Sequence, residues 1–193
     1  SSHKSSKGAR NRCRGAAARD LAEDRMKAEI FWHNRKYPGR LALLARPRGG
    51  DWLESEVASW ASDGIDVVVS MLETSEEKEF KLEREEELSR ANKLKFISFP
   101  VPDRAVPESG KEFANLVKKL RNALLAGKNV GIHCRQSVGR APLLAAAVMT
   151  LFDTDPDQAF RQLGKARGRE VPETVEQADW VRRFAEERTL ALA

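Results

Sequence analysis

Short apolar segments alternate along this chain with helical segments of about 12–18 residues, and this alternation limits the possible folds most strongly. A short apolar run occupies residues 40–45, and strands are predicted at residues 65–72, 93–99 and 130–133. Helices are predicted at residues 51–62, 75–92, 110–127, 141–152, 156–166 and 174–192. The pattern predicts an α/β fold in which a mostly parallel central sheet of about four or five strands carries helices on both faces.

The composition suits one ordinary domain. Of the 193 residues, 41% are apolar and 33% are charged, which excludes disordered and collagen-like chains. Residues 26–193 are predicted to form the domain. Residues 1–25 are predicted to be a disordered basic extension, or sequence that lies upstream of the native start. Because no apolar run approaches the length of a membrane span, none is predicted.

The net charge of +5 is concentrated near the amino end. Residues 1–25 contain seven Lys or Arg and three acidic residues, whereas the remaining residues contain 27 basic and 26 acidic groups. A nearly neutral domain gives no reason to expect a stable nucleic-acid partner. The two cysteines, Cys13 and Cys134, cannot build a disulfide framework, which favours a reducing compartment and a cytoplasmic location.

The segment from His133 to Arg140 places a cysteine at the end of a strand and an arginine at the start of a helix. The loop between Cys134 and Arg140 consists of Arg135, Gln136, Ser137, Val138 and Gly139. Backbone N–H groups of such a loop and the amino end of the following helix can bind an anion. The arginine can hold two phosphate oxygens. The positive charge of the arginine and of the helix end also stabilises the cysteine thiolate, which makes it a nucleophile. The segment therefore predicts a phosphate site with a built-in nucleophile.

The spacing of cysteine and arginine is weak evidence by itself, because Cys13 is also followed by an arginine six positions later. Cys13 lacks the preceding strand, the histidine and the apolar helix. The alternative for Cys134 is a buried structural cysteine, which its polar neighbours disfavour. We expect His133 to be a hydrogen-bonding neighbour that orients the loop, because no Cys and His spacing suits a metal site.

Asp103 follows a predicted strand in a proline-rich loop and is a candidate for the acid that protonates a leaving oxygen. On local evidence, a turn residue that bonds its own backbone is an equally good interpretation. Gln136 could position a water molecule or bond its own loop, and Gln177 is better explained by a capping box with Thr174.

Two further groups of charged residues are open to interpretation. The seven glutamates of residues 75–92 are expected to form a solvated helix face. Arg104 and Arg135 could attract a second negative charge on a ligand, or could simply be solvated.

The pattern His133-Cys134-x5-Arg140, together with Pro102-Asp103-Arg104, resembles the cysteine-dependent protein phosphatases. The closest likeness is to compact dual-specificity and bacterial tyrosine phosphatase-like domains, over about residues 40–183. The resemblance implies phosphomonoester hydrolysis without metal or cofactor, with a phosphorylated protein or peptide as substrate. It also implies a phosphocysteine on Cys134, a phosphate held by Arg140, and Asp103 acting first as acid and then as base.

Two positions depart from the family pattern. Ala141 stands where the family usually has a serine or threonine that helps the thiolate leave, which predicts slow turnover. Ser137 stands where glycine is common, and it is expected to fit with ordinary dihedral angles or to narrow the pocket. The alternatives are therefore a pseudophosphatase that binds phosphate without turnover, or the same chemistry on RNA or inositol-lipid phosphates. Nothing in the sequence specifies an oligomeric state.

Overall fold

The computed structural model describes residues 28–34 and 37–192, and these residues contain a five-stranded sheet. The strands are β1 (Ile30–Trp32), β2 (Leu41–Leu44), β3 (Val67–Ser70), β4 (Lys95–Ser98) and β5 (Val130–His133). Their order in the sheet is β1-β2-β5-β3-β4. β2, β5, β3 and β4 run parallel, and β1 pairs antiparallel with β2 at one edge. The mostly parallel sheet confirms the predicted fold class.

Seven α-helices lie in the described part of the chain. They are α1 (Leu53–Ser62), α2 (Thr74–Glu79), α3 (Glu85–Ala91), α4 (Gly110–Leu125), α5 (Arg140–Thr150), α6 (Pro156–Arg167) and α7 (Val175–Leu192). A 3-10 turn, Gly50–Trp52, precedes α1. The apolar side chains of α1 and α3 pack on one face of the sheet, and those of α4 to α7 pack on the other. None of these helices is long and apolar enough to cross a membrane.

β5 is the central strand and carries the chain into the middle of the core. All four of its residues are buried, because parallel strands lie on both sides of it and helices cover both of its faces. The helix that follows it, α5, is buried along all eleven of its residues. The segment between them, residues 134–139, is therefore held at both ends by rigid elements.

The loops that follow β3, β4 and β5 meet at the carboxyl edge of the sheet. The backbone N–H of Met71 donates to the carbonyl oxygen of His133 (3.1 Å), and the N–H of Val101 donates to the carbonyl oxygen of Met71 (3.3 Å). Ligands of parallel α/β sheets bind at this edge. The structure thus brings the loop of Asp103 and the loop of Cys134 to the same end of the sheet, together with the loop that follows β3.

The single helix predicted over residues 75–92 is wrong, because two short helices occupy this stretch. Residues 80–84 separate them, and Lys81 has a φ of 56°, a left-handed conformation that no helix continues through. The break brings the buried Leu82 into the core. The predictions for residues 1–25 and for Cys13 lie outside the described residues.

Candidate active site

Cys134 directly follows β5 and is buried, with 3% of its surface exposed. Its position at the end of the central strand matches the place where open parallel sheets bind their ligands. The reactivity of this buried thiol depends on the polar and charged groups that follow it in the chain.

The loop after Cys134 presents unused hydrogen-bond donors. The backbone N–H groups of residues 135–140 donate to no acceptor within residues 28–34 and 37–192. Four of these residues, 137–140, are buried, and a buried N–H group without a partner is rare. Since α5 begins at Arg140, these donors lie where a helix dipole also favours negative charge. The loop is suited to bind the oxygens of a phosphoryl group.

Ser137 does not meet the condition of ordinary dihedral angles under which a serine was expected to fit here. Its φ is 55°, in the left-handed region where glycine is favoured. Its hydroxyl donates to the backbone carbonyl oxygen of Leu44 in β2, and the side chain is fully buried. The hydroxyl anchors the loop to the neighbouring strand, which offsets the cost of the backbone conformation.

Gly139 packs closely against neighbouring side chains, and its φ of −115° lies outside the left-handed region. A Cβ at this position would lie 3.0 Å from the amide nitrogen and oxygen of Gln177 and 3.1 Å from a carboxylate oxygen of Glu173. The neighbouring Val138 is also buried. The loop therefore packs closely against the segment that leads into α7.

Gln177 has two roles in the structure. It forms the predicted capping box, in which its N–H donates to Thr174 Oγ1 (3.2 Å) and its Oε1 accepts from the Thr174 N–H (3.3 Å). Its Nε2 also donates to the carbonyl oxygen of Ala105 in the loop that carries Asp103 (3.1 Å). The buried Gln177 side chain thus links α7, the loop at Gly139 and the loop at Asp103.

Arg140 is held in one orientation by a set of buried acceptors, and only 1% of it is exposed. Its Nη1 donates to the carbonyl oxygens of Met71 (3.2 Å) and Val101 (2.7 Å). Nη1 and Nη2 both donate to the carboxylate of Glu76, at 2.7 and 2.9 Å. Nη2 also donates to Asp103 Oδ1 at 2.9 Å, whereas Nε has no acceptor in the described part of the chain.

The charges around Arg140 change its proton affinity and that of Glu76. Burial by itself would lower the pKa of Arg140, but hydrogen bonding to Glu76 and attraction to Cys134, Glu76 and Asp103 raise it above the ordinary value. Burial would raise the pKa of Glu76, but its bonds to Arg140 and to the backbone N–H of Glu73 hold it below the ordinary value. Both groups are therefore charged at neutral pH.

Asp103 lies at the mouth of the site, with 46% of its side chain exposed. A turn does contain it, since the N–H of Ala105 donates to the carbonyl oxygen of Pro102 (3.0 Å). Its carboxylate, however, contacts the guanidinium of Arg140 and not its own backbone. The side chain is placed where it could exchange a proton with a group bound at the loop.

The interpretation of the acidic stretch as a solvated face is wrong at two positions. Glu76 is 5% exposed and Glu85 is 2% exposed. Glu85 lies three residues from both Leu82 and Leu88, which are buried on the same side of the chain. That spacing was the available signal, because a carboxylate placed between apolar residues of one face must enter the core and find a partner there.

Glu85 is the partner of His133. His133 Nε2 lies 2.7 Å from Glu85 Oε1, and neither side chain is more than 2% exposed. The ring of Trp60 lies beside the histidine, with the ring centroids 5.9 Å apart. His133 therefore connects the residue before Cys134 to α3 as a hydrogen-bonding group.

We call the backbone N–H groups of residues 135–140 together with the Arg140 guanidinium the anion cradle. The Arg135 side chain itself lies against α2, within 4.0 Å of Glu76. It pairs with Glu79 (3.2 Å) and lies over the ring of Phe80, and its backbone carbonyl oxygen accepts from Arg46 Nε (3.3 Å). Gln136 is exposed, and its carbonyl oxygen accepts from Arg167 (3.1 Å). These contacts hold Arg135 and Gln136, the first two residues of the loop after Cys134, in place.

Arg104, the other arginine considered for a second negative charge, lies 3.5 Å from Glu173. Among the residues that the structure describes, no group of three or more His, Cys, Asp or Glu side chains could hold a metal ion. Ala141, the departure next to Arg140, is fully buried in the first turn of α5.

Comparison by sequence gives partial matches. No protein-family model matches the chain. The chain is 36% identical over 76 residues to protein 197R of Invertebrate iridescent virus 6, which is named for a tyrosine phosphatase activity. It is 29% identical over 86 residues to cyclin-dependent kinase inhibitor 3 of Mus musculus. The matched stretches span 37% and 44% of this chain, and only 28% and 40% of those two relatives.

Comparison by structure extends over most of the chain. The crystal structure of kinase associated phosphatase, with its catalytic-site cysteine substituted by serine, matches with a TM-score of 0.75 at 19% identity. The match covers 84% of this chain and 97% of that chain. The fold is that of the cysteine-dependent phosphatases. In this phosphatase fold, the Cys134 loop, Arg140 and Asp103 meet at the carboxyl edge of the sheet.

Proposed function

We propose that the chain hydrolyses phosphomonoesters through a phosphocysteine intermediate on Cys134, as a metal-independent protein-tyrosine or dual-specificity phosphatase. The proposal rests on one observation, the convergence of a nucleophile, an anion cradle and an acid. The buried Cys134 precedes a row of backbone N–H groups that have no acceptor among the described residues, and Asp103 lies 2.9 Å from the arginine that ends the row. Such a set of groups fits phosphoryl transfer to a thiolate.

In the first step, the thiolate of Cys134 attacks the phosphorus of the bound ester. A sulfur–phosphorus bond forms and the phosphorus–oxygen bond of the ester breaks. The loop N–H groups and Arg140 stabilise the negative charge on the non-bridging oxygens. A protonated Asp103 gives its proton to the leaving oxygen, which departs as an alcohol or a phenol.

In the second step, a water molecule attacks the phosphocysteine. Asp103, now a carboxylate, accepts a proton from this water, and the sulfur–phosphorus bond breaks to return the thiolate and release inorganic phosphate. Gln136 is exposed beside the loop and is the candidate for orienting the water. Gln177 supports the step indirectly, because it holds the Asp103 loop through Ala105.

Substrate binding requires Asp103 to change partners. Arg140 can hold two phosphate oxygens with Nε and Nη2, as arginines do in bidentate pairs. Nη2 is at present bound to Asp103, whereas the bonds from Nη1 to Met71 and Val101 can remain. A phosphoryl group would therefore displace the Asp103 carboxylate from Arg140 and leave it free to face the leaving oxygen.

An open groove beside the loop supports a polypeptide substrate. Its volume is about 1160 Å³, and it is lined by Gln136 and Val138 of the loop and by side chains of α6 and α7. The site of a small ligand is usually no larger than about 1,000 Å³, so this groove has room for residues that flank a phosphorylated side chain. Both basic and acidic groups line it, including Arg161 and Glu173.

A second candidate function is phosphate binding without turnover, and Ala141 is the observation that favours it. The residue is fully buried next to Arg140 and offers no hydroxyl to the departing thiolate. In this case the phosphocysteine would form and persist.

The decisive experiment measures phosphate release from p-nitrophenyl phosphate in the presence of EDTA and a thiol reductant. We expect turnover in the unmodified chain, and loss of it in Cys134→Ser. Cys13→Ser is the matched control and should retain full activity. Activity that survives in Cys134→Ser, or that EDTA abolishes, would contradict the proposal. A single equivalent of p-nitrophenol released without inorganic phosphate would identify the second candidate, because the phosphoryl group would then stay on Cys134. The need for a reduced thiol agrees with a cytoplasmic location.

Specificity within the proposal is tested with paired peptides that differ only in phosphotyrosine or phosphoserine. A dual-specificity enzyme hydrolyses both, whereas a tyrosine phosphatase hydrolyses only the first. Preference for an RNA 5′-phosphate or an inositol-lipid phosphate over both peptides would contradict the assignment of a protein substrate.

A further inference from the structure

A second groove lies at the amino ends of the parallel strands, whereas Cys134 lies at their carboxyl ends. This groove carries an excess of positive charge. It is formed where β3 and β4 begin, beside the outer surface of α4, and its volume is about 710 Å³. We call it the basic groove and define it by its charged residues, which are Asp66, Lys93, Lys95, Lys118, Lys119 and Lys128.

The positive charge of the basic groove is largely uncompensated. Lys128 pairs with Asp66 at 3.1 Å. The other four lysines are exposed and pair with no carboxylate in the part of the chain that the structure describes. Residues 26–193 as a whole have almost equal numbers of basic and acidic groups. Five of the eleven lysines of residues 26–193 thus line this one groove.

Two amides lie next to the lysines on α4. Asn115 and Asn122 are exposed, line the groove and are seven residues apart, which places them on the same helix face with Lys118 and Lys119 between them. Each amide can donate and accept hydrogen bonds. Lysines together with amides match an extended polypeptide that has acidic side chains and an unpaired backbone.

The opposite wall of the basic groove also suits a polypeptide. Lys95 begins β4, the last strand of the sheet, which has no strand on its outer side within the described residues. Extended peptides commonly bind along such an edge.

The groove fits nucleic acids and membranes less well. Its lining contains no aromatic side chain on which a base could stack and no arginine to bind phosphate bidentately. Asp66 would face a phosphate backbone within the groove. A concave surface without exposed apolar anchors also does not match a lipid surface.

We propose that the basic groove binds an acidic, extended segment of a partner polypeptide, at a site separate from the phosphoryl cradle. The proposal does not depend on catalysis, because the basic groove lies at the amino ends of the strands and the phosphoryl site lies at their carboxyl ends.

The test measures binding of a fluorescein-labelled ten-residue peptide rich in glutamate and aspartate to the full chain by fluorescence polarisation. The measurements include saturating inorganic phosphate to occupy the cradle. We expect Lys118→Glu and Lys95→Glu each to weaken binding by about threefold to tenfold, as the replacement of an attractive by a repulsive charge would. Lys111→Glu is the matched control, because Lys111 is exposed on the same helix but does not line the groove. Its binding should stay within twofold of the unmodified chain.

The variants are first compared by thermal unfolding, which should be unchanged because both lysines are exposed. Binding should also weaken with rising salt concentration. Absence of peptide binding, or equal losses in Lys118→Glu and Lys111→Glu, would overturn the proposal. The proposal also fails if phosphate displaces the peptide at constant ionic strength, or if single-stranded RNA or phosphatidylserine vesicles bind the groove more tightly than the peptide does.

Discussion

Nη2 of Arg140 lies 2.9 Å from Oδ1 of Asp103, so the proposed acid occupies the hydrogen-bond donor that a phosphoryl group would need. The carboxylate in this position takes one of the contacts with Arg140 that an anion bound at the loop would make. Asp103 therefore has opposite effects on two steps, since it competes with the phosphoryl group for Arg140 and then protonates the leaving oxygen.

The substitution Asp103→Ala should separate these effects. We expect turnover of p-nitrophenyl phosphate to fall by about 10²–10⁴-fold, because no acid protonates the leaving group. Binding of vanadate should become tighter by about twofold to fivefold, because a competing surface carboxylate is removed. Steady-state kinetics and inhibition by vanadate measure the two quantities. Glu108→Ala, an exposed carboxylate in the same connection, should change neither. Weaker vanadate binding in Asp103→Ala would contradict this interpretation.

Glu76→Gln should lower the free energy of unfolding of the protein. Removing one partner of a buried ion pair leaves Arg140 without its main counter-charge, which costs about 3–5 kcal/mol of unfolding free energy. Chemical unfolding measures this loss. Glu87→Gln removes a glutamate that pairs with Arg84 on the surface, and it should leave stability almost unchanged. Equal stability of the two variants would show that the Glu76–Arg140 pair does not hold the loop.

The same pair gives stability a defined dependence on pH. Because Arg140 holds the pKa of Glu76 below its ordinary value, the folded state binds this proton less readily than the unfolded state does. The contribution is fully present above the ordinary glutamate pKa, which is about 4.3. It is lost as the pH falls through the lower pKa of the folded state. Unfolding curves between pH 7 and pH 3 should converge for the unmodified chain and Glu76→Gln, and curves that stay parallel would argue against the assignment.

Glu85→Gln tests the link from α3 to the residue before Cys134. We expect a loss of about 1–3 kcal/mol of stability, because the buried carboxylate that contacts His133 Nε2 is replaced by an amide. The reaction rate should also fall, with a larger effect on kcat than on KM if His133 orients the loop. Glu86→Gln is the neighbouring control on the exposed side of the same helix, where Glu86 pairs with Arg90. If both variants behave alike, the buried contact has no part in positioning the loop.

Ala141→Ser should supply a hydroxyl directly after Arg140, where Ala141 has none. One added hydrogen bond to the departing thiolate is worth about a tenfold increase in the rate of phosphocysteine breakdown. Rapid-quench measurements should show a burst of p-nitrophenol in the unmodified chain and a smaller burst with faster turnover in the variant. A chain that shows no burst under these conditions would exclude slow breakdown as the rate-limiting step.

Gly139→Ala should disturb the loop through packing. The added Cβ would lie about 3.0 Å from both polar atoms of the Gln177 amide, and relief of this contact costs about 1–3 kcal/mol. Gly110→Ala is the control, because a Cβ at Gly110 meets nothing within 4 Å. Thermal unfolding of the two variants makes the comparison, and an unchanged Tm in Gly139→Ala would show that Gln177 can move aside.

The strands and the buried helix after the cradle could be predicted because their patterns are strong. β5 agrees with the predicted residues 130–133, and the apolar run from Ala141 corresponds to α5. β1 was missed because three residues are too few to show an alternating pattern, and its strand geometry depends on pairing with β2.

The buried carboxylates could not be predicted from composition, because seven glutamates in one stretch are typical of a solvated helix. Their positions depend on tertiary partners, Arg140 for Glu76 and His133 for Glu85, which lie 64 and 48 residues away in the sequence. The positive φ of Ser137 likewise depends on Leu44, whose carbonyl oxygen accepts from its hydroxyl. Local spacing indicates at most that Glu85 lies among buried leucines, and it does not identify the distant partner of any of these residues.

Gln177 couples the amino end of α7 to the loop that follows Cys134, although it lies far from Cys134 in the sequence. One buried amide holds the first turn of α7 and the Ala105 carbonyl while it packs against Gly139. Opening of that turn would release both loops together. The buried amide protons of residues 137–140 and the hydrogen-bonded amide proton of Ala105 should therefore exchange with deuterium at a common rate, as one cooperative unit.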